Sequence, residues 1–152
     1  ISPEVKRSWF LANSTHVIDL AFFLAGKPVK ISSYKKGGLT WHPNGSIYSG
    51  AGITKTEALF SYHANWESAG RWNIEIMTPR SKLIFKPLEK LHIQKIGSIA
   101  IEKAVIDDRF DKKFKPGIYR EVQSFLSDQK DLPSLEEQVE NLKYYNKIES
   151  GT

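Results

Sequence analysis

The chain has 152 residues, 40% of them hydrophobic, and no cysteine. Roughly two thirds of the unfolded surface of such a chain can be buried, so one core suffices without disulfides, and thiolate metal sites and cysteine nucleophiles are excluded. Lys and Arg outnumber Asp and Glu by 22 to 17, a net charge of +5, but they are dispersed, with Lys35-Lys36 and Lys112-Lys113-Lys115 diluted by other residues; this is a solvated face or a basic rim for an anionic sugar nucleotide, not the stripe of a nucleic-acid module.

The first element is a helix after Ser14, whose hydroxyl is expected to cap it, with Gly26 and Pro28 as its stop. Val17, Leu20, Ala21 and Leu24 have the spacing of a buried stripe, and His16, Asp19 and Phe23 align on a neighbouring face. An imidazole and a carboxylate thus share one side of a short helix. Spacing alone leaves two readings: a helix-stabilising Asp19 with a boundary His16, or a functional pair.

Strands are expected at 29–34, 47–54, 58–66, 72–78, 81–85 and 90–96, with a turn or irregular loop around Trp41-His42-Pro43-Asn44-Gly45. The connections at 55–57, 68–70 and 79–80 are short, which calls for an antiparallel meander. In 58–66, Phe60, Tyr62, Ala64 and Trp66 alternate with Leu59, Ser61, His63 and Asn65. The first set reads as core; the second is either an ordinary wet sheet face or a surface that hydrogen-bonds a sugar or a partner chain. Trp72, Ile74 and Ile76 continue an apolar face.

Residues 98–114 read as a long, loosely packed connection. A helix follows Pro116 with the stripe Ile118, Val122, Phe125 and Leu126, and a last helix follows Pro133, with Ser134 and Glu137 as a capping box and Leu135, Val139 and Leu142 facing inward. The longest apolar stretch is broken by Asp19 and is too short to cross a bilayer, so no membrane partner is expected. Cysteine usage fits a reducing compartment, and a cytoplasmic location is the expectation. The chain begins at Ile1, so a native N-terminus is expected upstream.

The run SWFLANSTHVIDLAFFLAGKP at 8–28 resembles the start of the C-terminal domain of the glucose-fructose oxidoreductase, inositol dehydrogenase and MocA family. His16, Ile18, Asp19 and Gly26-Lys27-Pro28 match the family's pattern, whereas Ala12 stands where many members have Asp. The strand-rich middle and the ending, with Phe114-Lys115-Pro116-Gly117-Ile118-Tyr119-Arg120-Glu121-Val122 and Ser134-Leu135-Glu136-Glu137, are similar to the family's sheet and closing helices. The resemblance implies an α+β fold: a large open, mainly antiparallel sheet with helices packed on one face, here as a single domain over 1–152.

It also implies a substrate-binding and oligomerisation domain of an enzyme that oxidises or reduces a hydroxyl or ketone of a sugar, sugar nucleotide or cyclitol. NAD or NADP would be bound mainly by an N-terminal domain, since this chain has neither G-x-G-x-x-G after a strand nor the family's Glu-Lys-Pro. His16 is the expected acid/base or hydrogen-bond partner of the reacting oxygen, and a place in a first helical turn would favour its uncharged imidazole. Asn13, Asp19, His63 and Asn65 are the expected substrate-binding residues; no metal site is expected. The isolated chain is expected to be inactive and to form a homodimer or homotetramer through its sheet. The alternatives are a non-catalytic carbohydrate-binding or dimerisation module and, more remotely, a free-standing hydrolase or isomerase, for which no carboxylate pair, G-x-S-x-G or His-x-x-x-His is present.

Overall fold

The computed structural model describes residues 1–128, 130 and 132–152. The protein mixes helices with two antiparallel sheets and divides into two compact units, Ile1–Arg71 with Val139–Thr152, and Trp72–Gln138. Among the described residues no helix is long and apolar enough to cross a membrane.

In the first unit, α1 (Pro3–Arg7) is followed by a π-helical turn, Phe10–Ser14, that runs directly into α2 (Thr15–Ala25). The backbone is already helical at Trp9 and stays so through Ser14 and Thr15. The expected Ser14 cap is therefore absent: a helix that continues from upstream has no unmet amides at this point for a side chain to satisfy. The stop is as expected, with Gly26 at φ 91° donating its N–H to Phe22 O.

Strands β1 (Pro28–Lys36), β2 (Ile47–Thr54) and β3 (Leu59–Asn65) form a sheet in that order. Ile31, Tyr48, Tyr62 and Ala64 occupy its inner face, where they meet Phe10 of the π turn, Ile18 of α2, and Tyr145 and Ile148 of α5 (Leu135–Ser150). The opposite face carries the cross-strand rows Ser32–Ala51–Ser61 and Tyr34–Ser49–His63, the wet face expected from alternation. Gly50 and Gly52 have a packing reason: a Cβ at either would collide with the Tyr62 or Phe60 ring that lies across the strand, and with a neighbouring carbonyl.

The apolar stripes of both helices differ from expectation. In α2, Ile18 packs into the core and Phe22 meets Tyr144 edge-on, while Leu24 is exposed. In α5 the buried residues are Asn141, Tyr145 and Ile148, and Leu135, Val139 and Leu142 are exposed. A polar contact between α2 and α5, described below, selects these faces over the more apolar ones. The Ser134–Glu137 capping box forms reciprocally, each backbone N–H donating to the other's side chain at 3.1 Å.

The second unit holds β4 (Ile74–Met77), β5 (Ser81–Phe85), β6 (Leu91–Lys95) and β7 (Ile101–Lys103), paired in sequence order. Rows Ile74–Phe85–Leu91 and Ile76–Leu83–Ile93 share one face. In place of the single large sheet that the resemblance implies there are two, and among the described residues no ladder pairs β3 with β4, which the non-strand residues 66–73 separate in sequence. Residues 98–114 are more ordered than expected: β7 pairs with β6, and α3 (Arg109–Lys113) follows. In α4 (Ile118–Leu126) the expected stripe is present but exposed, and Tyr119 stacks on Phe110 at 4.0 Å.

Two tests follow. Gly50→Ala should cost about 1–3 kcal/mol through overpacking against Tyr62, measured by chemical denaturation; an unchanged midpoint would refute the close approach. Burial pushes the Tyr48 phenol up to about 12, with Glu149 adding to it, and raises Tyr62 and Tyr145 as well. Because these folded values lie above the unfolded one, near 10, their stabilisation is complete below about pH 10 and is lost as pH rises through the folded values. Denaturation midpoints, followed with tyrosinate absorbance, should hold up to about pH 10 with respect to these groups and fall above it; Tyr48→Phe should reduce that slope.

Candidate functional site

The π turn is the local feature that builds the candidate site. Five residues, Phe10 to Ser14, adopt π geometry, which recurs as short bulges at functional positions. Phe10 and Ser14 are anchored inward, and Thr15 Oγ1 donates to Leu11 O at 3.0 Å. Asn13 is half-buried within this turn, and His16 lies just beyond it, exposed. Because the helix runs on from Phe10, His16 is not at a helix N-terminus, and the dipole argument for its uncharged form lapses.

Asp19, three residues on, is half-buried and engaged by α5. Its Oδ1 accepts from the Tyr145 hydroxyl and, at 3.2 Å, from Asn141 Nδ2. Burial, and then the Asp19 carboxylate, raise the Tyr145 phenol well above the ordinary range, since ionising it would strand a charge in the interior and place two negative charges together. Just past the end of α2, Lys27 Nζ meets Glu140 of α5 at 2.7 Å, with Lys55 on the other carboxylate oxygen at 3.7 Å.

His63 and Asn65 lie on β3, on the face of the sheet away from the helices, paired through β2 with Tyr34 and Lys36. His63 is exposed; Asn65 Oδ1 accepts the Glu67 N–H at 2.9 Å and so shapes the turn after the strand. The five expected residues therefore divide between two surfaces: Asn13, His16 and Asp19 on one continuous helix, His63 and Asn65 across the sheet.

The most deeply buried polar residues were not expected. His42 and Ser46 are fully buried in the loop between β1 and β2. Leu39 and His42 exchange backbone hydrogen bonds at 2.9 and 3.0 Å, and His42 Nδ1 meets Gly45 O at 2.8 Å. A carbonyl only accepts, so Nδ1 carries the proton. Ser46 Oγ donates to Glu67. Around this loop gather Trp9, Trp41 and Trp66. The dense turn signals of Trp41-His42-Pro43-Asn44-Gly45 marked a loop, and two aromatic rings inside it were the available hint that it packs.

The one Gly-x-Gly of the sequence, Gly50-Ala51-Gly52, is in mid-strand, and the space above both glycines is filled by Tyr62 and Phe60, leaving no cradle for a pyrophosphate there. Among the described residues, no group of three or more His, Asp or Glu side chains is placed to hold a metal ion. No family model matches the chain, and no curated protein matches it.

Removing the Asp19 carboxylate would leave the Tyr145 and Asn141 donors unmet in the interior. Asp19→Ala should therefore cost about 1–3 kcal/mol and lower Tm by about 2–4 °C for each kcal/mol, with Asp19→Asn losing less because it keeps one acceptor. Calorimetry of the two variants measures this, and equal Tm values for all three proteins would refute the contact.

Proposed function

We propose that this chain is the substrate-binding and oligomerisation domain of an NAD(P)-dependent oxidoreductase acting on a hydroxyl or ketone of a sugar, sugar nucleotide or cyclitol. The dinucleotide, NAD or NADP, would be held by a domain outside this chain. The observation that carries the reading is the π turn set against an exposed His16, in the segment that resembles the glucose-fructose oxidoreductase, inositol dehydrogenase and MocA family. An imidazole can exchange a proton near neutral pH. In this reading His16 takes or returns the proton of the reacting hydroxyl, and Asn13, one turn earlier, orients a neighbouring hydroxyl. Asp19 acts at a distance, by fixing α2 against α5 so that His16 keeps its direction.

The open face of β1–β3, with its small Ser and Ala rows edged by Tyr34 and Leu59, is the proposed contact between subunits of a homodimer or homotetramer. His63 and Asn65 lie on that face and would meet substrate only where a second subunit completes the pocket. A cytoplasmic location belongs to the same reading. Ala12 and the engagement of Asp19 by α5 favour a second reading, a carbohydrate-binding or dimerisation module without chemistry.

A screen of sugar nucleotides and cyclitols by nicotinamide absorbance, on the protein together with its dinucleotide-binding domain, separates the two. In an active enzyme His16→Ala should lower kcat and kcat/KM together by about a hundredfold or more with cofactor affinity unchanged. His16→Asn, which hydrogen-bonds but does not titrate near neutrality, should share that loss if the role is proton transfer. Near-normal kcat and an unaltered pH profile in both variants would overturn the assignment.

A further inference from the structure

The first unit contains a second concentration of chemistry that the His16 reading does not use. The indoles of Trp9 and Trp41 meet edge-on at 6.1 Å, and those of Trp41 and Trp66 stack at 6.3 Å with planes 15° apart. At these separations the rings touch one another and leave no gap for a cation, so they make a wall and not an aromatic cage. Trp41 is 36% exposed. Behind it the buried His42 ring contacts both Trp41 and Trp66, at 6.1 and 5.0 Å, and is itself fixed on Gly45 O. A wall braced in this way loses little side-chain freedom when something lies on it.

The wall is also mixed in character. Glu67 follows Trp66 directly and is anchored through Ser46 Oγ on one carboxylate oxygen, so the residue after the indole carries a fixed carboxylate acceptor. A rigid indole beside an acceptor suits a pyranose, whose C–H face is apolar while its ring hydroxyls donate. Position points the same way: Trp9 is helical and leads without a break through the π turn to His16, seven residues and so about 10 Å along the axis at helical rise.

We propose that Trp41, with Trp9, Trp66 and Glu67, binds a neutral pyranose ring, the non-reacting unit of a substrate whose reacting unit is at His16. The proposal rests on the sugar reading above for its substrate class, and not on redox activity. The Glu67 carboxylate sets the preference: neutral rings over uronates, whose charge it would repel.

The test is a titration of the protein, with no nicotinamide present, using methyl β-glucoside, cellobiose, glucuronate and choline, followed by tryptophan emission and saturation-transfer NMR. Saturable binding of the two neutral glycosides is expected, with glucuronate weaker and choline inert. Trp41→Ala, at a partly exposed position, should weaken glycoside binding at least about tenfold with an unchanged circular dichroism spectrum. Should Trp41→Ala fail to fold, Glu67→Gln, which keeps an acceptor for Ser46, should narrow the gap between glucoside and glucuronate. No saturable response to either glycoside, native affinity in Trp41→Ala, an unchanged gap in Glu67→Gln, or a preference for choline or glucuronate would each overturn the proposal. Because no turnover is involved, failure here and failure of the oxidoreductase reading are distinguishable.

Discussion

The contact of Asp19 with Tyr145 and Asn141 is the constraint on which the first unit depends. It joins side chains 122 and 126 residues apart in sequence, and a carboxylate drawn toward an interior is costly unless donors meet it. Here two do. The Phe22–Tyr144 ring contact fastens the same helix pair, and Lys27, just past the end of α2, adds its contact with Glu140. Beneath this seam lie Phe10, Tyr48, Tyr145 and Ile148, the buried apolar residues of the unit. The closure entropy of so long a separation grows only slowly with length, and several contacts along one helix pair share it.

The sheet answers to a different constraint, the thickness of aromatic side chains. Tyr62 and Phe60 lie flat across β2 because Gly50 and Gly52 offer them no Cβ. The Tyr62 hydroxyl then reaches Ser33 Oγ at 2.8 Å, stitching β3 to β1 over the intervening strand. Small residues in the middle and aromatic ones at the side give an inner face that the helices can approach, while the outer face carries small Ser and Ala rows with Tyr34 and Leu59 exposed. The loop from Gly37 to Ser46 closes the end of this layer, with His42 as its plug.

These constraints bear on function through direction. Asp19 and His16 are three residues apart on one side of the helix, so the seating of Asp19 on Tyr145 and Asn141 places the exposed His16 at the margin of the α2–α5 contact. The π turn before them and Trp9 belong to the same continuous helical path, while Trp41, Trp66 and Glu67 come from the β1–β2 loop and the turn after β3. The proposed chemistry and one of the proposed sugar contacts thus share an element that is fixed from the far end of the chain.

Some of this was written locally. The bounds of β2 and β5, the reciprocal Ser134–Glu137 cap, the stop at Gly26 and the alternation in β3 depend on near neighbours, on backbone freedom at glycine and on the two-residue period of a strand. Sequence placed His16 and Asp19 on one helix for the same reason, and left Asn13 ahead of the expected Ser14 cap, where the π turn in fact continues the helix. It did not show what meets α5: Val17, Leu20 and Ala21 of the apolar stripe are half-buried and Leu24 is exposed, while Asp19 and Phe22 engage α5 because Tyr145, Asn141 and Tyr144 are there to receive them. Nor could it show that Ser14 needs no cap, since that depends on the π turn upstream, or that the strands split into two sheets, since that depends on a missing ladder between β3 and β4. Periodicity fixes which residues share a face; only packing against distant partners decides what that face meets.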